Sequence, residues 1–145
     1  MIALIQRVTQ AAVSVDGETV AAIGPGVLAL VAAVPDDDAG RAIRLAERVL
    51  AYRIFADERG RMNRSVADIG GAVLAVPQFT LAADTRRGNR PGFSSACAPD
   101  RARELFDECV AALATRHGAA ERGVFGADMQ VWLVNDGPVT FWLNS

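Results

Sequence analysis

Gly24-Pro25-Gly26-Val27-Leu28-Ala29-Leu30-Val31-Ala32-Ala33-Val34-Pro35-Asp36-Asp37-Asp38 decides how this chain folds. Val27 to Val34 is an unbroken apolar run of strand length, so it reads as a strand buried on both faces. Gly24-Pro25-Gly26 before it is a turn. Pro35-Asp36-Asp37-Asp38 after it opens a helix, whose positive N-terminal end suits acidic residues.

Upstream, residues 2–8 alternate weakly and read as a strand. Ala12-Val13-Ser14-Val15 and Thr19-Val20-Ala21-Ala22-Ile23 form a hairpin around Asp16-Gly17. Downstream, Ile43, Leu45, Ala46, Val49 and Leu50 fall at helical spacing, and the helix is expected to continue to Arg53. Tyr52-Arg53-Ile54-Phe55 leads into a turn at Asp57-Glu58-Arg59-Gly60, and Gly70-Gly71 precedes a second buried strand, Ala72 to Val76. Pro99 to His117 is a second long helix, with Pro99 in its first turn and Gly118 at its end. Leu105, Phe106, Cys109, Val110 and Leu113 form its inward stripe. Gly123 to Asp128 leads into a last pair of strands, Met129 to Val134 and Phe141 to Leu143. The expected fold is α+β (mixed α/β), a single domain over 1–145: a curved, mostly antiparallel sheet or partial barrel backed by two long helices.

The 145 residues are 51% hydrophobic, enough for a real core. No run of about 20 apolar residues suggests a membrane span. The first residues lack the basic and apolar regions of a signal peptide, so a cytoplasmic protein is expected. Cys109 falls on a helix stripe, a disulfide with Cys97 is not expected in that compartment, and two cysteines with one histidine make a poor zinc set. No metal and no cofactor is expected. The net charge of −2 argues against a general nucleic-acid binder. Every cationic side chain is arginine, and Arg86, Arg87 and Arg90 cluster in one Gly/Pro-rich segment. That cluster is either a phosphate contact or a solvated loop.

The single histidine, His117, ends a helix, where a cationic side chain complements the dipole. A Ser-His-Asp or Cys-His site is therefore not supported. Asp36 to Asp38 and Asp57-Glu58 sit in turns and read as solvated. What remains is a polar pair at a strand end. Alternation puts Gln78 and Thr80 on one face, and Phe79 and Leu81 on the other. The amide and hydroxyl either orient a substrate or satisfy each other and nearby backbone. Phe79 either stacks a nucleobase or packs in the core. Asn135-Asp136-Gly137-Pro138-Val139-Thr140 combines a proline without an N–H and a glycine that leaves backbone uncovered. It reads as a turn between strands, or as a segment that offers main-chain carbonyls to a ligand.

Taken together, these segments resemble the D-aminoacyl-tRNA deacylase family, once called D-tyrosyl-tRNA deacylase. The resemblance runs nearly end to end. It rests on Met1 to Val8, on Gln78-Phe79-Thr80-Leu81-Ala82-Ala83-Asp84-Thr85, and on Arg90-Pro91 with Phe93-Ser94. Gly123 to Met129 and Asn135 to Thr140 complete it. It implies a homodimer with active sites at the interface. The implied reaction is hydrolysis of the ester between a D-amino acid and the terminal adenosine of tRNA, glycine also being accepted. It implies a cis Gly137-Pro138 bond whose carbonyls enter the partner subunit's pocket and reject L-amino acids, with Arg7 bracing that segment. Gln78, Phe79 and Thr80 would surround the adenosine and the ester, while Phe125, Ala127 and Met129 would line the pocket. Arg86, Arg87 and Arg90 are candidate tRNA contacts. One position departs from the family: its usual serine is Pro77 here, which removes a hydroxyl and an N–H.

An activated ester asks less of a catalyst than an amide, so positioning and oxyanion stabilisation suffice without a histidine base. The expected mechanism uses backbone N–H groups near Phe79 and Thr80, with water attacking and Thr80 orienting. Two alternatives stay open. One is an adenosine or RNA 3′-end binding module without turnover; the other is a hydrolase of a different small ester.

Overall fold

The computed structural model describes residues 1–94 and 96–145. Among these the order is β1 (Ile2–Val15), β2 (Glu18–Ile23), β3 (Gly26–Ala32), α1 (Ala39–Ala51), β4 (Phe55–Ala56), β5 (Met62–Arg64), β6 (Ala72–Pro77), α2 (Pro99–His117), β7 (Ala120–Arg122) and β8 (Gln130–Asn144). β1 organises the sheet. One of its edges carries β8 along nearly its whole length, and the other carries β3 and then β2, all antiparallel. From β3 the sheet continues to β6 and β7, both joined in parallel.

A parallel neighbour needs a crossover, and here each crossover contains a helix, α1 between β3 and β6 and α2 between β6 and β7. Both crossovers step the same way across the sheet. Their common right-handedness therefore places both helices on one face. They pack on each other there, α1 through Ala42, Leu45, Ala46, Val49 and Leu50, α2 through Leu105, Phe106, Cys109 and Leu113. The expected α+β architecture with two long helices is thus the observed one.

The apolar run that forms β3 serves two cores. Val27, Ala29 and Val31 face the helices, while Leu28 and Leu30 face a second cluster. β6 divides in the same way, Val73 and Ala75 against Leu74 and Val76. The second cluster is enclosed by the sheet itself, which curls until β2 lies against β6 and β7. Gly26 begins β3 because the strands approach closely there: a Cβ would sit 1.9 Å from the Ala72 carbonyl oxygen.

Several boundaries differ from the sequence reading. Residues 2–8 and 12–15 are one strand, and so are the two segments around Gly137-Pro138. The expected final turn is instead a bulge within β8. Helix α1 starts at Ala39, capped by the Asp38 carboxylate on the Arg41 N–H, and ends at Ala51, so Arg53 lies outside it. The strand alternation expected for Gln78 to Leu81 is absent: β6 stops at Pro77, and Phe79–Ala82 is a 3₁₀ turn. Proline gives no N–H to the ladder, which favours a strand end at that position.

Asp37 was expected in solvent and is buried. Its carboxylate accepts from the Met1 ammonium at 2.6 Å, the Val34 N–H at 2.7 Å and Arg41 at 3.3 Å. Burial by itself raises its pKa. The bond from the Met1 ammonium, then the Val34 N–H, the ammonium charge and Arg41, outweigh burial and hold it below the usual carboxylate value. A lowered folded pKa stabilises above the ordinary value of 3.8, and the contribution is lost as pH falls through the folded value. Asp37→Ala leaves the ammonium buried without its counter-charge. It should cost about 3–5 kcal/mol in urea unfolding at pH 7, with the gap to the native chain narrowing below about pH 4. A loss under 1 kcal/mol would show that the pair is not structural.

Candidate active site

β6 delivers its C-terminal end, Val76 and Pro77, to the floor of a cleft of about 310 Å3. Gln78 and Phe79 follow on one side, while Phe125, Gly126, Ala127, Met129 and Val131 form the other. The far wall is fixed from behind. The Phe125 ring packs 6.3 Å from Phe106 of α2, and the Arg103 guanidinium lies 4.8 Å above it. The Met129 sulfur accepts from the Val124 N–H and rests against Gly123, where a Cβ would come within 2.9 Å of it.

Gln78 is tied to the sheet by its N–H, which donates to the Val31 carbonyl at 2.7 Å. Its side-chain amide donates to the Thr80 hydroxyl at 2.5 Å. Gln78 and Thr80 are thus brought together by a helical turn rather than by strand alternation. The N–H groups of Phe79 and Thr80 open that turn, where a helix leaves its first donors without acceptors of its own. Among the described residues no ionisable side chain lines the cleft. His117 Nε2 donates to the Gly71 carbonyl, 2.6 Å away, at the opposite end of β6. The length of that strand puts it roughly 20 Å from Gln78, which excludes it as a base here.

Gly137, Pro138 and Arg7 are elsewhere in the subunit. Between the Gln6–Thr140 and Val8–Asn135 pairs, β1 advances two residues and β8 five. The surplus residues of β8 form the bulge, which contains a cis Gly137-Pro138 bond. Arg7 clamps it: Nε donates to the Asp136 carbonyl at 3.0 Å and pairs with the Asp136 carboxylate at 3.1 Å, and Nη1 donates to the Ile54 carbonyl at 2.6 Å. Asn135 closes its neck. It accepts from the Val139 N–H at 2.7 Å and donates to the Thr140 hydroxyl at 3.0 Å. The bulge lies six residues beyond Val131, on the order of 15–20 Å from the cleft along the same strand.

The profile of a known protein family, described as D-Tyr-tRNA(Tyr) deacylase, matches residues 4–144. The chain belongs to this family. Proteins named D-aminoacyl-tRNA deacylase from Thioalkalivibrio sulfidiphilus (strain HL-EbGR7) and Methylococcus capsulatus (strain ATCC 33009 / NCIMB 11132 / Bath) are 59% and 60% identical to it. Each alignment covers 99% of this chain, with 96% and 94% of the relative. A solved structure named c-Myc DNA Unwinding Element Binding Protein is 36% identical, with a TM-score of 0.95 over 100% of this chain and 99% of that one. A probable eukaryotic D-amino acid tRNA deacylase shares the fold at 17% identity, with a TM-score of 0.87 over 99% and 98%. The deacylase family is one of hydrolases, and this chain is an enzyme of that family.

Of the residues singled out in the sequence, Gln78, Phe79, Phe125, Ala127 and Met129 line the cleft, and Thr80 joins it through Gln78. Pro77 is part of the floor. Val131 was missed, although it follows Met129 at strand spacing. Asn135 and Asp136 were quoted only as part of a motif, and their bonds across the bulge give them a structural task. Arg86 folds back onto Asp84 in a two-pronged pair at 2.8 Å for each prong. Those bonds hold the Asp84 carboxyl far below the usual range. Arg87 and Arg90 remain exposed.

Gly137 has φ +140°, and a Cβ there would sit 2.6 Å from Val139 Cγ2 and 3.2 Å from Arg7 Nη2. Gly137→Ala should therefore lower stability by about 1–3 kcal/mol in chemical unfolding. An unchanged unfolding midpoint would mean that the bulge accommodates a side chain.

Proposed function

We propose that the protein hydrolyses the ester joining a D-amino acid, or glycine, to the terminal adenosine of tRNA, releasing the free amino acid and tRNA in the cytoplasm. The observation that carries this reading is the uncharged cleft lined by Gln78 and Phe79, with Thr80 bonded to Gln78 and the first N–H groups of a helical turn at Phe79 and Thr80. Those N–H groups stabilise the oxyanion as water attacks the ester carbonyl. The carbon–oxygen bond to the ribose breaks, and the ribose oxygen takes the proton. Thr80, held by Gln78 with no base beside it, orients the substrate; the ribose 2′-hydroxyl assists the water.

Handedness is read by main-chain carbonyls of Gly137 and Pro138 in the partner subunit's cleft. An L-side chain runs into them and a D-side chain points away, so rejection is by clash. The separation of bulge and cleft within one chain supports contribution from a second copy. So does the free edge of β8, which among the described residues pairs only with β1 and carries the exposed Trp132, Val134 and Trp142. Asn135 and Arg7 hold the bulge in position.

Matched D- and L-tyrosyl-tRNA should differ by at least 100-fold in deacylation rate, whereas D-forms with unlike side chains should differ little. Comparable rates on the L- and D-forms would refute the reading. Thr80→Val should reduce kcat by roughly 10-fold without abolishing it, and trapping an acyl ester on Thr80 would overturn the orienting role. Pro77→Ser, compared with the native chain in the same assay, reports what the altered cleft floor does. Asn135→Ala loosens the bulge, so it should narrow the difference between D- and L-substrates more than it lowers the D-rate.

A further inference from the structure

Two phenylalanines stand open to solvent at the mouth of the cleft. Phe79 is 56% exposed and Phe93 is 42% exposed, and their rings pack 5.2 Å apart at an interplanar angle of 51°. Phe79 borders the cleft, while Phe93 extends the aromatic surface outward from it. Phe93 is held there by the loop before it. Asp84 and Gly92 exchange backbone hydrogen bonds at 2.8 and 2.9 Å, closing residues 84–92 into a clip. On that clip Arg86 is neutralised by Asp84, while Arg87 and Arg90 are exposed and form no salt bridge among the described residues.

An aromatic pair left uncovered beside two free guanidinium groups matches one ligand chemistry, a single strand of nucleic acid. Bases stack on the rings and cations meet the phosphates. An apolar protein partner would cover the rings and leave both arginines without counter-charges. An acidic one would pair the arginines and gain little from the rings.

We propose that Phe93, with the outer face of Phe79, stacks the base that precedes the terminal adenosine, and that Arg87 and Arg90 contact the phosphates of that unpaired 3′ strand. This rests on the reading of the cleft as an aminoacyl-adenosine site. It narrows the arginine cluster to two working members and adds an aromatic residue outside the cleft lining. The site therefore extends about one nucleotide beyond the adenosine, and it favours an ester carried on RNA over the same ester on a nucleoside.

The test uses a fluorescent single-stranded RNA of about eight nucleotides ending in unacylated adenosine, and then two substrates, D-aminoacyl-tRNA and D-aminoacyl-adenosine. Phe93→Leu should weaken RNA binding on the order of 10-fold, and Phe93→Tyr should restore it. The Arg87→Ala/Arg90→Ala double variant should reduce the slope of log affinity against log salt by about 1.4, at about 0.7 per phosphate contact. In turnover, Phe93→Leu should raise KM for D-aminoacyl-tRNA about 10-fold, with kcat within about two-fold, and leave D-aminoacyl-adenosine kinetics unchanged. Equal losses on both substrates, or RNA binding indifferent to Phe93 and to both arginines, would overturn the proposal. A Phe93→Leu chain that sediments as a monomer beside a dimeric native protein would assign the rings to a subunit interface instead. Native protein that hydrolyses neither substrate, yet binds RNA through Phe93 and the arginines, would remove the deacylase reading and keep the strand site.

Discussion

The paired irregularity in β1 and β8 is the constraint on which the rest of the structure depends. In β1, Ala3 and Ile5 face the helix-covered core, whereas Ala11 and Val13 face the enclosed one. In β8, Leu143 and Val139 belong to the first core, and Leu133 and Val131 to the second. Strict alternation cannot give either pattern, because residues an even number apart share a face. The register shifts at Val8–Gln10 and at Asn135–Thr140 supply the missing step in each strand. One place in the fold thus lets two long strands serve two cores, and that same place extrudes Gly137 and Pro138. The need to switch faces explains why the extra residues belong here; the clamps from Arg7 and Asn135 explain why they keep one shape.

The site follows a similar logic of strand ends. β6 ends at Pro77, the chain turns into a short helix, and a wall braced from α2 closes the other side of the cleft. Among the described residues no charged side chain lines the cleft itself, and the Arg103 guanidinium braces the wall from behind. The second core lies under the cleft floor, with Val76, Met129 and Val131 common to both. Packing in that core and the shape of the cleft are therefore not independent.

Much of this was readable from residues. The Val27–Val34 run announced burial on both faces, and β3 does divide its side chains between two cores. The helix from Pro99 to His117 was bounded correctly by Pro99 and Gly118, because those residues act locally. The errors share a cause in long-range pairing. Gly137-Pro138 punctuates the sequence as a turn would, yet β1 continues past it on the other side and keeps β8 a single strand. Asp37 reads as one of three solvated acids, and only the folded chain brings the Met1 ammonium to it. Gln78 and Thr80 were placed on one side through the wrong periodicity. Proline at 77 ended the strand, and a helical turn brought the two side chains together by another route. Asn135 had no sequence signature for its role, since its partners Val139 and Thr140 are near in the chain but are reached only through the bulge.

The neutrality of the cleft wall carries a pharmacological meaning. The thiol of Cys109 is buried within the helix layer and its pKa is pushed up to about 12 by that burial. Cys97 packs against the same layer, and His117 lies at the far end of β6. Reagents that alkylate thiols or imidazole therefore find no target among the described residues lining the cleft. Covalent inhibitors of the usual kind have nothing to grip there. A compound that blocks this cleft must do so by shape and by hydrogen bonds to main-chain groups, the same features on which the substrate depends. Resistance by exchanging a reactive side chain is correspondingly closed to the protein.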